Sequence, residues 1–300
     1  SNNWKDVQEF GSLEYNEKVF DYNDDDPSGN LMENKPIGDQ HTLCLDTVFF
    51  DFETTTRRND NKDTVHKPYC CYTDKRSTGW WGEDCGRKML DKFIKTYGVA
   101  KGETYEKTIQ KKDGTSYKKE VDKYEEVVEM KIYIRLIAHN SAYDFRFLLK
   151  YLTHIDTIEK GTGLMNANSL YFSNGKVICI NIRDSLKMIN MPLRNFGKAF
   201  GLSVEKEIMP YDLYSEENVK KNWIDLNECL SFVKDSDKEQ YLNNVNRWDC
   251  LHNGKVNILK YSGEYCYLDC LTLRDGYKKF AGLVEDCINL NISKYMSRLL

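Results

Sequence analysis

Three hundred residues carry 43 lysines and arginines against 47 aspartates and glutamates, a net charge of −4, and 40% apolar side chains. That is enough chain for one large domain or two small ones around a sizeable core. The acidic balance argues against a protein that coats nucleic acid, and no apolar run of about eighteen residues is present to span a membrane.

Ten cysteines include no Cys-x-x-Cys pair, and Cys70 and Cys71 are adjacent, so neither zinc nor a disulfide framework is supported. Reduced, buried thiols in a cytosolic-type reducing compartment are expected instead. No signal peptide opens the chain. Ser1-Asn2 stands where an initiator Met would, so the chain reads as an excised piece of something longer.

Residues 1–41 are polar, with the acidic run Asp24-Asp25-Asp26, and read as a surface lead-in. The apolar run that ends in Phe50-Asp51-Phe52-Glu53-Thr54 predicts a buried strand over 44–53, with Tyr69–Tyr72 as its hairpin partner. Helical spacing follows over 84–97, with Met89, Phe93 and Ile94 on one side. Residues 98–130 are rich in Lys and Glu. Within them, alternating stretches around Asp113-Gly114 predict an exposed hairpin, either a solvated face or a ribbon beside DNA.

A strand over 131–138 leads into His139-Asn140 and a helix over 143–152. Asn174-Gly175 marks a second hairpin within 170–182. Pro192 opens a short helix that Gly201 closes. Residues 215–255 read as polar and helical, anchored by Trp223 and Trp248, and a last long helix runs over 263–284. Strands alternating with helices predict an α/β fold with a mixed sheet.

Three acidic motifs stand out. Asp51 and Glu53 are two apart on a strand, so they share a face, with Phe50 and Phe52 on the other. Carboxylates this close repel unless a cation lies between them, and a hard divalent ion is the natural one. A solvated strand end would read the same way. Asp144 lies in the first turn of a helix, where it either caps the helix or faces the Asp51 strand. Tyr265 and Asp269 are i and i+4 on the last helix and share its face.

In this order the motifs resemble the DEDD exonuclease superfamily, of the tyrosine-containing kind. More closely, residues 42–300 resemble the exonuclease domain of protein-primed family B DNA polymerases. Asp51-Phe52-Glu53-Thr54 matches that family's first motif, His139-Asn140 through Tyr143-Asp144 its second, and Tyr265-Cys266-Tyr267-Leu268-Asp269 its third. Asp184-Ser185-Leu186 resembles its single-strand-contacting element, and the stretch from Val204 to Tyr211 resembles the segment carrying a catalytic lysine, here Lys206. Longer spacings at 98–130 and 215–255 read as insertions, and the palm's Tyr-x-Asp-Thr-Asp signature is absent.

The resemblance implies a ribonuclease H-like sheet and 3′–5′ removal of terminal nucleotides from single-stranded DNA ends. Two Mg²⁺ or Mn²⁺ ions would be held by Asp51, Glu53, Asp144 and Asp269, with Tyr265 orienting the attacking water and Lys206 offsetting charge at the phosphate. Thr54, Asn140, Tyr143, Ser185 and Leu186 would touch the single strand. The implied partners are that strand, a polymerase domain in the full-length chain and a terminal priming protein. The implied setting is a host cell carrying a virus or linear plasmid. Two other classes stay open: a stand-alone DEDD exonuclease on RNA or DNA, and an inactive nuclease fold kept for binding nucleic acid.

Overall fold

The structure is a computed structural model that describes residues 42–58, 64–111, 114–160, 163–203 and 207–288. The lead-in over 1–41 and the tail after 288 lie outside the described residues.

The chain opens with β1 (Leu43–Arg58), β2 (Thr64–Thr73), β3 (Arg76–Trp81) and α1 (Cys85–Tyr97). A short β4 (Val99–Ala100) leads to a ribbon, β5 (Thr104–Gln110) and β6 (Ser116–Asp122), and to α2 (Lys123–Val128). Then come β7 (Ile132–Ala138), α3 (Ser141–Leu149), β8 (Thr153–Lys160), β9 (Gly163–Ser173), β10 (Lys176–Asp184) and the short α4 (Phe196–Phe200). The last third holds α5 (Glu216–Lys221), β11 (Trp223–Asp225), α6 (Leu226–Ser231), α7 (Lys238–Arg247), β12 (Leu251–His252), β13 (Lys255–Asn257) and α8 (Ile258–Ile288).

The main sheet runs β3-β2-β1-β7-β10-β9-β8, with β4 paired to the start of β10. β2 is antiparallel to β1 and β3, while β7 is parallel to β1, and β10 to β7. Three antiparallel strands followed by two parallel ones is the ribonuclease H-like order, and β9 and β8 extend it antiparallel. The parallel strands are joined by helices, as parallel crossovers require. The β9–β10 hairpin turns at Asn174 and Gly175, both at positive φ (51° and 71°), as the Asn-Gly signal predicts.

Side-chain alternation along β1 sorts two cores. Phe50 and Phe52 join Met89, Leu90 and Phe93 of α1 and Phe145 and Leu148 of α3 on one face. Phe49 meets Leu273 and Tyr277 of α8 on the other. The helix α8 packs against β1, β2 and β3. It approaches closely because residue 263 is glycine: a Cβ there would collide with Tyr72. No described helix is long and apolar enough to cross a membrane.

Several expectations are corrected. Residues 215–255 are not simply helical. Three short helices enclose a three-stranded sheet, β11-β13-β12, over a core with Ile224, Tyr241, Val245, Val256 and Tyr261. Strands of two or three residues are too short to show a period of two. Trp223 is no anchor, being 42% exposed on β11, whereas Trp248 does pack, with its ring 4.8 Å from that of Tyr261. The helix after Pro192 begins as a 3-10 turn, Leu193–Asn195. The strand β8 carries too irregular a pattern to read in advance, and its register against β9 slips twice.

Candidate active site

The strand β1 delivers the first two acids. Asp51 and Glu53 point to the α8 face, opposite Phe50 and Phe52. The pairing of β1 with β2 shifts between Glu53 and Thr54, where Cys70 and then Pro68 are the partners. Proline has no N–H to give to the ladder, so a bulge is where it fits. Glu53 is buried at 5% exposure, an unusual place for a carboxylate without a cation.

The turn between β7 and α3 delivers the third. Asn140 takes the left-handed conformation (φ 68°, ψ 51°), which asparagine tolerates better than most residues. This turn is pinned from β10. Asp184 Oδ1 accepts the Asn140 N–H at 2.9 Å and the Leu186 N–H at 3.0 Å, and the Ser141 amide also reaches its carboxylate. One turn into α3, Asp144 is buried at 2% exposure. Burial, and then the Asp51 charge, push its pKa well above the usual carboxylate range, and one amide, that of Phe52, opposes them. Its Oδ1 is buried with no hydrogen-bond partner.

The helix α8 supplies the rest. Tyr265 and Asp269, one turn apart, are both buried. Burial raises the pKa of the Tyr265 hydroxyl, and the charges of Asp269, Tyr211 and Glu53 raise it further. Its oxygen lies 2.9 Å from that of Tyr211, whose own ring is 54% exposed and stands perpendicular to it. Between them on the helix, Cys266 places Sγ 3.5 Å from the Asp51 carbonyl oxygen and 4.0 Å from Asp51 Oδ2.

The expected strand-contacting residues divide. The Tyr143 hydroxyl sits 2.7 Å from Thr54 Oγ1 and 3.0 Å from His66 Nδ1, so both motif residues share one polar knot beside the acids. The Arg146 guanidinium lies 4.1 Å from the centre of the Tyr143 ring. Burial, with help from Arg146, keeps His66 below the ordinary imidazole range, hence neutral at neutral pH. Asn140 sits at the turn itself. Ser185 is wholly buried, its hydroxyl spent on the Ala138 carbonyl and on His139 Nδ1, each at 3.0 Å. Leu186 is half-buried beside it. Lys206 lies outside the described residues. The next residue, Glu207, is held by Arg247, Gln240 and Asn244 of α7.

Four residues of this neighbourhood were given no role from the sequence: His66, and Asp184, Tyr211 and Cys266, which lie within the matched stretches. Asp184 alone carried a readable signal, an acid at the end of the apolar run Val177–Ile182. The other three are brought in by pairing and packing.

The donor set fits a divalent cation. Ligand atoms of Asp51, Glu53 and Cys266 lie within 4.8 Å of one another, and Asp144, which feels the Asp51 charge, has a buried oxygen with no hydrogen-bond partner. Such a ribonuclease H-like sheet, with paired acids on its first strand and two more acids and a tyrosine on helices, is a carboxylate-centred domain. The family described as DNA polymerase type B, organellar and viral, matches residues 101–298, more than half of the chain, and the chain belongs to that family. The matched span includes Asp144, Tyr265 and Asp269.

A protein of Ascobolus immersus described as a probable DNA polymerase is 26% identical over 178 residues, which is 56% of this chain and 14% of that one. The chain therefore spans about a seventh of that relative. Among solved structures, phi29 DNA polymerase complexed with single-stranded DNA is 16% identical, over 81% of this chain and 32% of that one, with a TM-score of 0.36. The same enzyme complexed with primer-template DNA is 16% identical, over 82% and 32%, with a TM-score of 0.37. Both likenesses are loose.

Proposed function

We propose that this domain is the 3′–5′ proofreading exonuclease of a protein-primed family B DNA polymerase, hydrolysing terminal nucleotides from single-stranded 3′ ends. The observation that supports the reading is that Asp51 and Glu53 of β1 bring ligand atoms within 4.8 Å of each other and of Cys266 of α8, with buried Asp144 of α3 feeling the Asp51 charge and buried Tyr265 of α8 that of Asp269 and Glu53. Carboxylates as close as those of Asp51 and Glu53 repel, and a cation between them would neutralise that repulsion.

Asp51, Glu53, Asp144 and Asp269 would hold Mg²⁺ or Mn²⁺, whose chemistry is activation of water and stabilisation of the leaving 3′ oxygen. The protein's own part is positional. The Tyr265 hydroxyl, kept protonated by burial and by the neighbouring carboxylates, donates to the attacking water and fixes its direction. Tyr211 takes up the second hydrogen bond of that hydroxyl. The ring of Tyr143, held by Thr54 and His66, offers a face on which a terminal base can stack, an interaction worth roughly 1–3 kcal/mol and indifferent to sequence. Lys206 would offset charge at the scissile phosphate. A frayed mismatch reaches such a site more often than a paired end, which is the basis of proofreading here. Polymerisation and any terminal priming protein belong to the longer protein.

The test is degradation of 5′-labelled matched and mismatched primer–templates with Mg²⁺, Mn²⁺ or EDTA. A metal-dependent ladder from the 3′ end, faster on the mismatch, is expected. RNA cleaved as readily as DNA would instead mark a stand-alone nuclease. No cleavage of single-stranded DNA in either metal would overturn the reading.

A further inference from the structure

Hard divalent ions choose oxygen ligands, yet one ligand atom at this centre is sulfur. Cys266 is fully buried, and its Sγ lies with one oxygen each of Asp51 and Glu53 in a triangle no more than 4.8 Å on a side. A separate observation lies on the neighbouring helix α3: Asp144, 2% exposed and raised in pKa by burial and by the Asp51 charge, carries a buried oxygen with no hydrogen-bond partner. Two carboxylates and a thiol suit the borderline and soft ions. Zn²⁺ takes mixed sulfur and oxygen ligands in tetrahedral sites, and thiolate discriminates strongly against Mg²⁺.

We propose that Asp51, Glu53 and Cys266 form a thiophilic metal site inside the carboxylate centre. This site takes Zn²⁺ or Cd²⁺ through the Cys266 sulfur and, by occupying Asp51 and Glu53, shuts out the hard ions. On binding, the S–H proton passes to solvent, a sulfur–metal bond forms, and nothing is oxidised or reduced. The site is built on helix α8 and strand β1, whose contact fixes the sulfur against the Asp51 backbone. Only the consequence, arrest of cleavage by Zn²⁺, rests on the exonuclease reading.

The test is titration of the metal-free protein with Cd²⁺, followed by the ultraviolet thiolate-to-cadmium charge-transfer band. One equivalent should saturate the band in the native protein. Cys266→Ser should abolish it, and Asp51→Asn, which keeps the thiol, should weaken Cd²⁺ binding on the order of tenfold or more. Circular dichroism verifies that both variants are folded. A band that survives Cys266→Ser, or that Asp51→Asn leaves untouched, would overturn the proposal, because Cys70 and Cys270 also adjoin Cys266 and would then be the ligands. A parallel assay reads the Zn²⁺ concentration that halves Mg²⁺-dependent cleavage, which Cys266→Ser should raise. Should the native protein cleave nothing, the exonuclease reading fails while the Cd²⁺ titration still decides the site.

Discussion

Charge is handled in opposite ways at the two ends of strand β7. At its start lies the β5–β6 ribbon, where Lys118 meets Glu106 at 2.9 Å with both side chains about two-thirds exposed, and Lys107 meets Glu126 at 2.8 Å. Water or a partner serves each of these charges. At its end, Asp144 lies buried, its pKa raised by burial and by the Asp51 and Asp184 charges against one amide, that of Phe52, and the Arg146 charge. The exposed Lys118–Glu106 pair is solvated and cheap. The buried Asp144 carboxylate costs stability at the other end, as its raised pKa records.

The largest effect expected is on chemistry. Asp51→Ala with Glu53→Ala should lower 3′ cleavage by on the order of 10³-fold or more, since it removes the ligands of both implied ions. Binding of single-stranded DNA, measured by fluorescence anisotropy, should largely survive. Metal-dependent cleavage retained in this variant would erase the contrast between the two ends.

Next comes Asp184. It is as buried as Asp144 but accepts from three backbone amides, so it acts as a structural pin where Asp144 is the proposed ligand. Asp184→Ala leaves those amides unpaired and should cost about 2–4 kcal/mol in urea unfolding. Asp184→Asn, which keeps an acceptor, should cost less. A smaller effect is expected of Tyr265→Phe, which removes one hydroxyl and should slow single-turnover cleavage by roughly 10- to 100-fold without altering Cd²⁺ binding. An unchanged single-turnover rate would strip Tyr265 of its role.

Asp144 sharpens the comparison through pH. Its folded pKa is raised, so between the ordinary value of 3.8 and the raised one the folded state binds more protons than the unfolded. Stability of the metal-free protein should therefore fall as pH rises through that window and stay lower above it. Added Mg²⁺ should restore the loss. Asp144→Asn should flatten the dependence and stabilise the metal-free protein by about 0.5–2 kcal/mol, while impairing cleavage. Thermal melts across pH, with and without Mg²⁺, check both outcomes.

Legibility in the sequence followed the same divide. Elements with a local signature were readable: the Asn174-Gly175 hairpin, the ribbon, α1 with its apolar stripe, and the alternation that sets Asp51 and Glu53 opposite Phe50 and Phe52. What was not readable depends on partners far along the chain. His66 reaches Tyr143 across 77 residues, Cys266 reaches Asp51 across 215, and Tyr211 reaches Tyr265 across 54. No periodicity encodes such meetings. The small sheet within 215–255 escaped for a different reason, because its strands are too short to declare themselves.

The ribbon should yield the smallest effect, and that smallness is itself informative. Lys118→Ala breaks the 2.9 Å pair with Glu106, whose exposure leaves little Coulomb energy after solvent screening. The change in unfolding free energy should stay within about 0.5 kcal/mol and shrink further as salt is raised. Lys107 differs. It is 19% exposed and grips Glu126, which also accepts from the Tyr105 hydroxyl, so Lys107→Ala should cost more than Lys118→Ala. Equal costs would mean that burial does not grade the ribbon's ion pairs, and the same ruler could not then be laid against Asp144.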